Sequence, residues 1–241
     1  MKCLYRISNN SYNKSKLANG SKQACFINFI KNLLLPTDTL YVIADNINDE
    51  LRSFLKLNMP KNGHLIEVNT GSNGASFRLQ LSLIDQIPDK EIVFLHEDDY
   101  LYKPHALDTE DFKLNNLLIR EGLERSDYVS LYDHPDKYLS PEVGGNPLIS
   151  IEGVEYTGIF LTGHSHWKYT NSTTLTFAAK KETLLKDRII WLKHCSGNHP
   201  NDFDAFLELG KGGRRLATCL PGNASNTEPP WLTPFYNWEQ I

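Results

Sequence analysis

The sequence predicts an α/β protein: a mostly parallel sheet with helices on both faces, built as a single domain with two lobes. Three observations predict it. Short apolar runs alternate with helix-periodic segments through the first hundred residues. The second half adds further strand-like and helical segments with less regular spacing. No repeat, low-complexity stretch or linker interrupts the 241 residues, which are ample for one sizeable core.

CLYRI (3–7) reads as a strand, and SKQACFINFIKNLLL (21–35) has apolar residues at helical spacing and stops before Pro36. TLYVIA (39–44) is the second strand. A helix from about Ile47 to Leu57 follows, with Asp45 or Asn48 near its N-cap. HLIEV (64–68) is the third strand, NTGSNG a turn, ASFRLQLSLIDQI (75–87) a helix and EIVFL (91–95) the fourth strand. A helix around 105–124 leads to the strand DYVSLY (127–132), a Pro- and Gly-rich loop and a β-like stretch over 155–179. Helices over 180–195 and 201–210 come next, the second ending at Gly210 in the left-handed position that glycine favours. RRLATCL (214–220) is the last strand, and the tail is aperiodic.

The formal net charge of -4 argues against a general nucleic-acid binder, whose phosphate contacts need a basic surface. No apolar run is long enough to span a membrane, and MKCLYRISNN turns polar too early for a secretory leader. Cys3, Cys25, Cys195 and Cys219 are scattered without a CxxC pair and read as reduced core thiols, so a cytoplasmic protein is expected.

The fourth strand runs straight into His96-Glu97-Asp98-Asp99. Three adjacent carboxylates repel one another and resist desolvation. They are either a solvated turn or a site with a positive partner. Ligands of parallel sheets bind at the carboxyl ends of the strands, where this run lies, and Tyr100-Leu101-Tyr102 restores bulky side chains at once. Hard carboxylate oxygens there suit Mg²⁺ or Mn²⁺, which bridges to phosphate oxygens. In a strand-like run Glu97 and Asp99 face one way as a metal pair, and Asp98 turns the other way toward a ribose or sugar. His96 is a neighbour rather than a ligand.

These residues resemble a known family. An apolar strand ending in an acidic triplet after three strand–helix units looks like the GT-A fold of nucleotide-sugar-dependent glycosyltransferases. LYRISNNSYNKSKLANGSKQACFINF, EDDY, SHWKYTNSTTLTFAAK and HPNDFDAFLEL are together similar to small single-domain enzymes of large DNA viruses and bacteria. The resemblance implies a mixed, mostly parallel sheet, with residues 1–104 binding the nucleotide sugar and 105–241 the acceptor. It implies that Tyr5, Arg6 and Ser8 border the base and phosphates and that Asp45 bonds base or ribose. It also implies that Gly74, Ser76 and Arg78 approach the nucleotide, with Asp98 turned to the donor. Glycine permits close approach, and a helix start near Ala75 directs N–H groups at an anion; an ordinary Asn-Gly loop is the alternative.

An inverting transfer needs a carboxylate base beside the acceptor hydroxyl. Asp202 and then Asp204 are the candidates, since the family places an acid on a helix here; the alternative is a first-turn acid favoured by the helix dipole. His164, His166 and Trp167 read as an acceptor pocket and Ser172 as a sugar-hydroxyl partner, with a half-exposed β ribbon as the alternative. The tail lacks the histidine that many such enzymes add to the metal. Asn226 or Glu228 would substitute, or the acidic run and diphosphate hold the ion alone. The expected activity is a metal-dependent, inverting hexosyl transfer from a nucleoside diphosphate sugar, with UDP favoured, to a glycan hydroxyl. The rivals are a metal-dependent phosphoesterase and an inactive carbohydrate-binding domain.

Overall fold

The computed structural model describes residues 1–9 and 14–241. The elements follow in the order β1 (Lys2–Ser8), α1 (Lys22–Asn32), β2 (Thr39–Asp45), α2 (Asp49–Asn58), β3 (Gly63–Val68), α3 (Asn73–Leu83), β4 (Ile92–His96) and β5 (Tyr100–Tyr102). Then come α4 (Leu114–Gly122), β6 (Tyr128–Ser130), β7 (Ile159–Leu161), β8 (His166–Thr170), β9 (Phe177–Lys180), α5 (Lys181–His194), α6 (Asp202–Lys211), β10 (Leu216–Leu220) and β11 (Ala224–Asn226). Among the described residues nine strands form one sheet, ordered β3-β2-β1-β4-β9-β6-β10-β8-β7, and β5 pairs with β11 in a small ribbon. β3, β2, β1 and β4 are parallel; β9 enters antiparallel to both β4 and β6, and β10 lies parallel to β6. The sheet is therefore mixed and mostly parallel on one side, as expected.

Alternation along buried strands builds a core on each face. Cys3, Tyr5 and Ile7 pack with Phe26 and Phe29 of α1 and Leu51 and Leu55 of α2. Leu4 instead joins Phe77 of α3, Trp191 of α5 and Phe206 of α6, together with Val93 and Leu95 of β4. Strands buried on both faces read as continuous apolar runs, which is why they were legible. Ser21 and Asn48 cap α1 and α2 by accepting from Ala24 N (3.1 Å) and Leu51 N (2.9 Å).

Several boundaries differ from expectation. α3 starts at Asn73, not Ala75, because the Ser72 hydroxyl accepts from Ala75 N (3.2 Å) and caps it early. α4 is shorter than 105–124: the Asp108 carboxylate accepts from both His105 N (3.2 Å) and Leu114 N (2.9 Å), folding the chain into a loop first. The 155–179 stretch divides into β7, β8 and β9. Gly210 stays helical inside α6, and the left-handed glycine after that helix is Gly213 (φ 88°). Among the described residues no helix is long and apolar enough to cross a membrane. All four cysteines are free and buried.

Candidate active site

A cleft of about 750 Å³ opens at the carboxyl edge of the parallel strands. Arg6 and Ser8 reach it from the end of β1, Asp45 from the end of β2, Ser76 from α3, and Glu97, Asp98 and Asp99 from the turn after β4. Asp202, at the first position of α6, lines it from the other half of the sequence. Asn226, Glu228 and Trp231 of the C-terminal segment complete it, and Thr227 N donates to Asp99 O (3.0 Å) to seat that segment against the acidic turn.

Each acid of the turn has a cation against it. Arg6 Nη2 lies 2.9 Å from Glu97 Oε1, Lys22 Nζ 2.7 Å from Asp98 Oδ2, and Lys16 Nζ 3.2 Å from Asp99 Oδ2. Asp98 also accepts from Ser8 N (3.0 Å), tying the turn to the end of β1. Residues 97–99 form a turn rather than a strand. The side chains of Glu97, Asp98 and Asp99 each meet a different cation.

The pairing does not fully offset desolvation. Burial pushes the Glu97 carboxyl up to about 7 despite Arg6, and Asp99, Asp202 and Asp98 add to the rise. Asp99 is likewise raised by burial, against the lowering effect of Lys16. The cleft is lined by six carboxylates (Asp45, Glu97, Asp98, Asp99, Asp202, Glu228) and four cations (Arg6, Lys14, Lys16, Lys22), so it is formally two positive charges short. Beneath the turn, His96 lies among the rings of Tyr5, Phe29, Phe94 and Tyr102, and burial pushes it down to about 3. It is neutral and structural.

The Asp202 wall differs. Asp202 is half-buried, and burial pushes its carboxyl up to about 6, against lowering by its own N–H and the His134 ring. His134 itself packs between Tyr132 and Trp231, at 5.0 and 5.2 Å between ring centres. A carboxylate that titrates near neutrality at the lip of a cleft is equipped for proton transfer.

Several expected residues lie elsewhere. Tyr5 is fully buried, stacked on His96 at 4.6 Å, and does not line the cleft. Arg78 donates to Cys195 O (2.6 Å) and Gly197 O (3.2 Å). Gly74 N donates to Asn198 O (2.8 Å), and a Cβ on Gly74 would lie 2.0 Å from Gly197 O. Gly74 therefore allows close approach to the loop before α6. With Gly74 N and Ala75 N already bonded, the start of α3 offers fewer free donors to an anion than expected. Asp204 is exposed and accepts from Asn201 Nδ2 (2.6 Å), away from the cleft lining. His166 is exposed on β8, Trp167 is buried under it, and Ser172 is buried against Lys137 and Asn146; none lines the cleft. Asp45 lines it but spends both oxygens on Thr70.

Lys14, Lys16, Lys22, His134 and Trp231 were missed. The lysines had a signal: three crowded acids require counter-charge, and KSKLANGSK follows the first strand. His134 and Trp231 had none, because only the folded chain stacks them.

Comparison with solved structures agrees with this architecture. A nucleotidyl transferase from Methanothermobacter thermautotroptrophicus overlaps 90% of this chain and 85% of its own, at 10% identity and a TM-score of 0.50. GalNAc-T7, solved with UDP, GalNAc and Mn²⁺, overlaps 90% of this chain and 41% of its own, at 9% identity and a TM-score of 0.52. The chain has a GT-A-like fold. The galactosyltransferase LgtC, solved with donor and acceptor sugar analogues, overlaps more loosely: 90% of this chain, 73% of its own, 11% identity and a TM-score of 0.46. No protein-family model and no curated protein matches the sequence.

Proposed function

We propose that the chain is a metal-dependent glycosyltransferase that moves a sugar from a nucleoside diphosphate sugar, UDP being the favoured carrier, to a glycan hydroxyl with inversion. The observation that carries this reading is the meeting, in one cleft of a GT-A-like sheet, of the acidic turn and a separately held carboxylate of raised pKa, Asp202. GalNAc-T7, of like fold, holds UDP and Mn²⁺.

The residues fit a divalent ion by donor chemistry. Glu97 and Asp99 offer hard oxygens, and burial raises both carboxyls against the cations beside them, so a divalent charge there would favour their ionised forms. Among the described residues no three His, Cys, Asp or Glu side chains gather closely enough to hold a metal alone. The diphosphate would complete the set, with Asn226 beside Asp99 in the same wall. When bound, the ion offsets charge on the leaving diphosphate. Arg6 holds Glu97 in place, Asp98 fixes the turn to β1, and Asp202 takes the proton from the acceptor hydroxyl as that oxygen attacks the anomeric carbon. The Trp231 face beside His134 supplies a surface for the apolar side of an acceptor sugar.

Among the described residues His134 and His199 are the histidines that line the cleft, which leaves a phosphoesterase short of ligands. A thermal-shift panel of nucleoside diphosphates, nucleotide sugars and nucleoside triphosphates, with and without Mn²⁺, tests the reading. Stabilisation by a diphosphate that depends on Mn²⁺ is expected, since a ligand at 100 times its Kd adds about 2.7 kcal/mol. Response to a triphosphate alone turns the reading toward nucleotidyl transfer, the activity of the Methanothermobacter protein. Silence to every nucleotide defeats it.

A further inference from the structure

Lys16 stands on Asp99, one of the two acids proposed to hold a divalent ion, and Lys22 stands on Asp98 beside it. Lys16 contacts Asp99 at 3.2 Å and Lys22 contacts Asp98 at 2.7 Å, and both come from one short stretch of chain along the cleft. A third, Lys14, lies 2.8 Å from Glu228 across the opening. Their ammonium groups stand in for the positive charge the turn needs. A metal at the same carboxylates would be brought up against them, and like charges at that range repel strongly. Meanwhile Arg6, only 6% exposed in the same cleft, has its Nε without a hydrogen-bond partner. The cleft thus holds several cationic donors suited to an anion, and Lys16 and Lys22 are released by their acids once an ion has neutralised that turn.

We propose that Lys16 and Lys22 exchange partners on ligand binding: they neutralise Asp99 and Asp98 in the free protein and pass to the diphosphate oxygens when donor and divalent ion enter together. This rests on the transferase reading. A lysine suits the task because its flexible four-carbon stem moves the charge without moving the backbone. Side-chain exposures of 21% for Lys16 and 16% for Lys22 leave each a solvent-facing side along which to turn. The exchange assigns the lysines, rather than Arg78, to the diphosphate, Arg78 being bonded to the loop before α6. It also makes ion and nucleotide bind cooperatively, each clearing the way for the other.

The exchange predicts effects of opposite sign from one substitution. In Lys16→Met, Mn²⁺ alone, followed by the electron paramagnetic resonance signal of the free ion, should bind about tenfold more tightly, because its competitor is gone. UDP in the presence of Mn²⁺, followed by calorimetry, should bind about tenfold more weakly, because a charge-assisted bond to phosphate is lost. Lys16→Arg should keep the UDP affinity near wild type. Lys16→Gln, which retains a hydrogen-bonding group without charge, carries the same paired prediction should the methionine variant not fold. Changes of the same sign in both affinities, or no change in either, overturn the exchange and leave the lysines as structural clamps. Failure of any nucleoside diphosphate to bind the wild type defeats the transferase reading first, and the exchange with it.

Discussion

The two walls of the cleft treat carboxylates in opposite ways. On the wall built by β1 and the turn after β4, Glu97, Asp98 and Asp99 each sit within 3.2 Å of a cation. On the wall built by α6, Asp202 forms no ion pair among the described residues, and burial lifts it to about 6. Burial raises acids on both walls, Glu97 to about 7 in spite of Arg6, so what separates the walls is the partner: the first sets a cation on each acid, and the second leaves Asp202 to N–H groups and the nearby His134 ring. On that difference of partners rests the proposed division, with binding on the first wall and proton transfer on the second.

The largest effect that could break this division comes from Asp202→Asn. Loss of a positioned base should lower kcat by about 10²–10⁴-fold. Affinity for a nucleoside diphosphate with Mn²⁺ should change far less than kcat, because no residue of the binding wall is altered and loss of the Asp202 charge only eases ionisation of Glu97; calorimetry and initial rates measure the two. Asp204→Asn, altering an exposed acid off the cleft, is the control and should leave both unchanged. Equal losses in the two variants would remove Asp202 from its role.

Gly74→Ala should have the next largest effect. Its Cβ would fall 2.0 Å from Gly197 O, so the loop carrying the chain into α6 must shift. Displacing a catalytic group by about 1 Å costs on the order of a hundredfold. The expected signature is a fall in kcat of about ten- to a hundredfold with nucleotide affinity preserved. A loss confined to nucleotide affinity would instead return Gly74 to the donor site, where the sequence pattern had suggested it belonged.

That misplacement shows what was legible and what was not. The strands β1, β2 and β4 announce themselves because residues such as Leu4 and Tyr5 are buried on opposite faces of one sheet, giving a largely apolar run, whereas β3 is only partly buried at the sheet edge. The acidic turn was visible because charge crowding at a strand end is a local fact. Asp202 was visible as an acid opening a helix. The partners of Arg78 were not: the guanidinium meets carbonyls more than a hundred residues away, at Cys195 and Gly197. No spacing in the sequence encodes such a contact. Trp167 misled for a related reason, since an aromatic residue in a β-like stretch fits a sugar platform and a core equally well; here it is fully buried.

The smallest and sharpest distinction is one of pH and stability. For Asp202 the folded pKa is about 6 against an ordinary 3.8, so the folded state binds this proton more tightly than the unfolded state does. Stability from this group is therefore greatest at low pH, declines as pH rises from about 4, and levels off above about 6. Replacing the carboxylate by an amide removes that penalty. Asp202→Asn should gain on the order of 2 kcal/mol in denaturant unfolding at pH 7, with the gain shrinking to nothing near pH 4. In wild type kcat/KM should fall about tenfold per pH unit below 6 as the base is protonated. A residue kept for structure would behave oppositely, its loss lowering stability at pH 7. An inactive variant that is more stable than its parent would show that the α6 wall holds Asp202 at a cost to the fold.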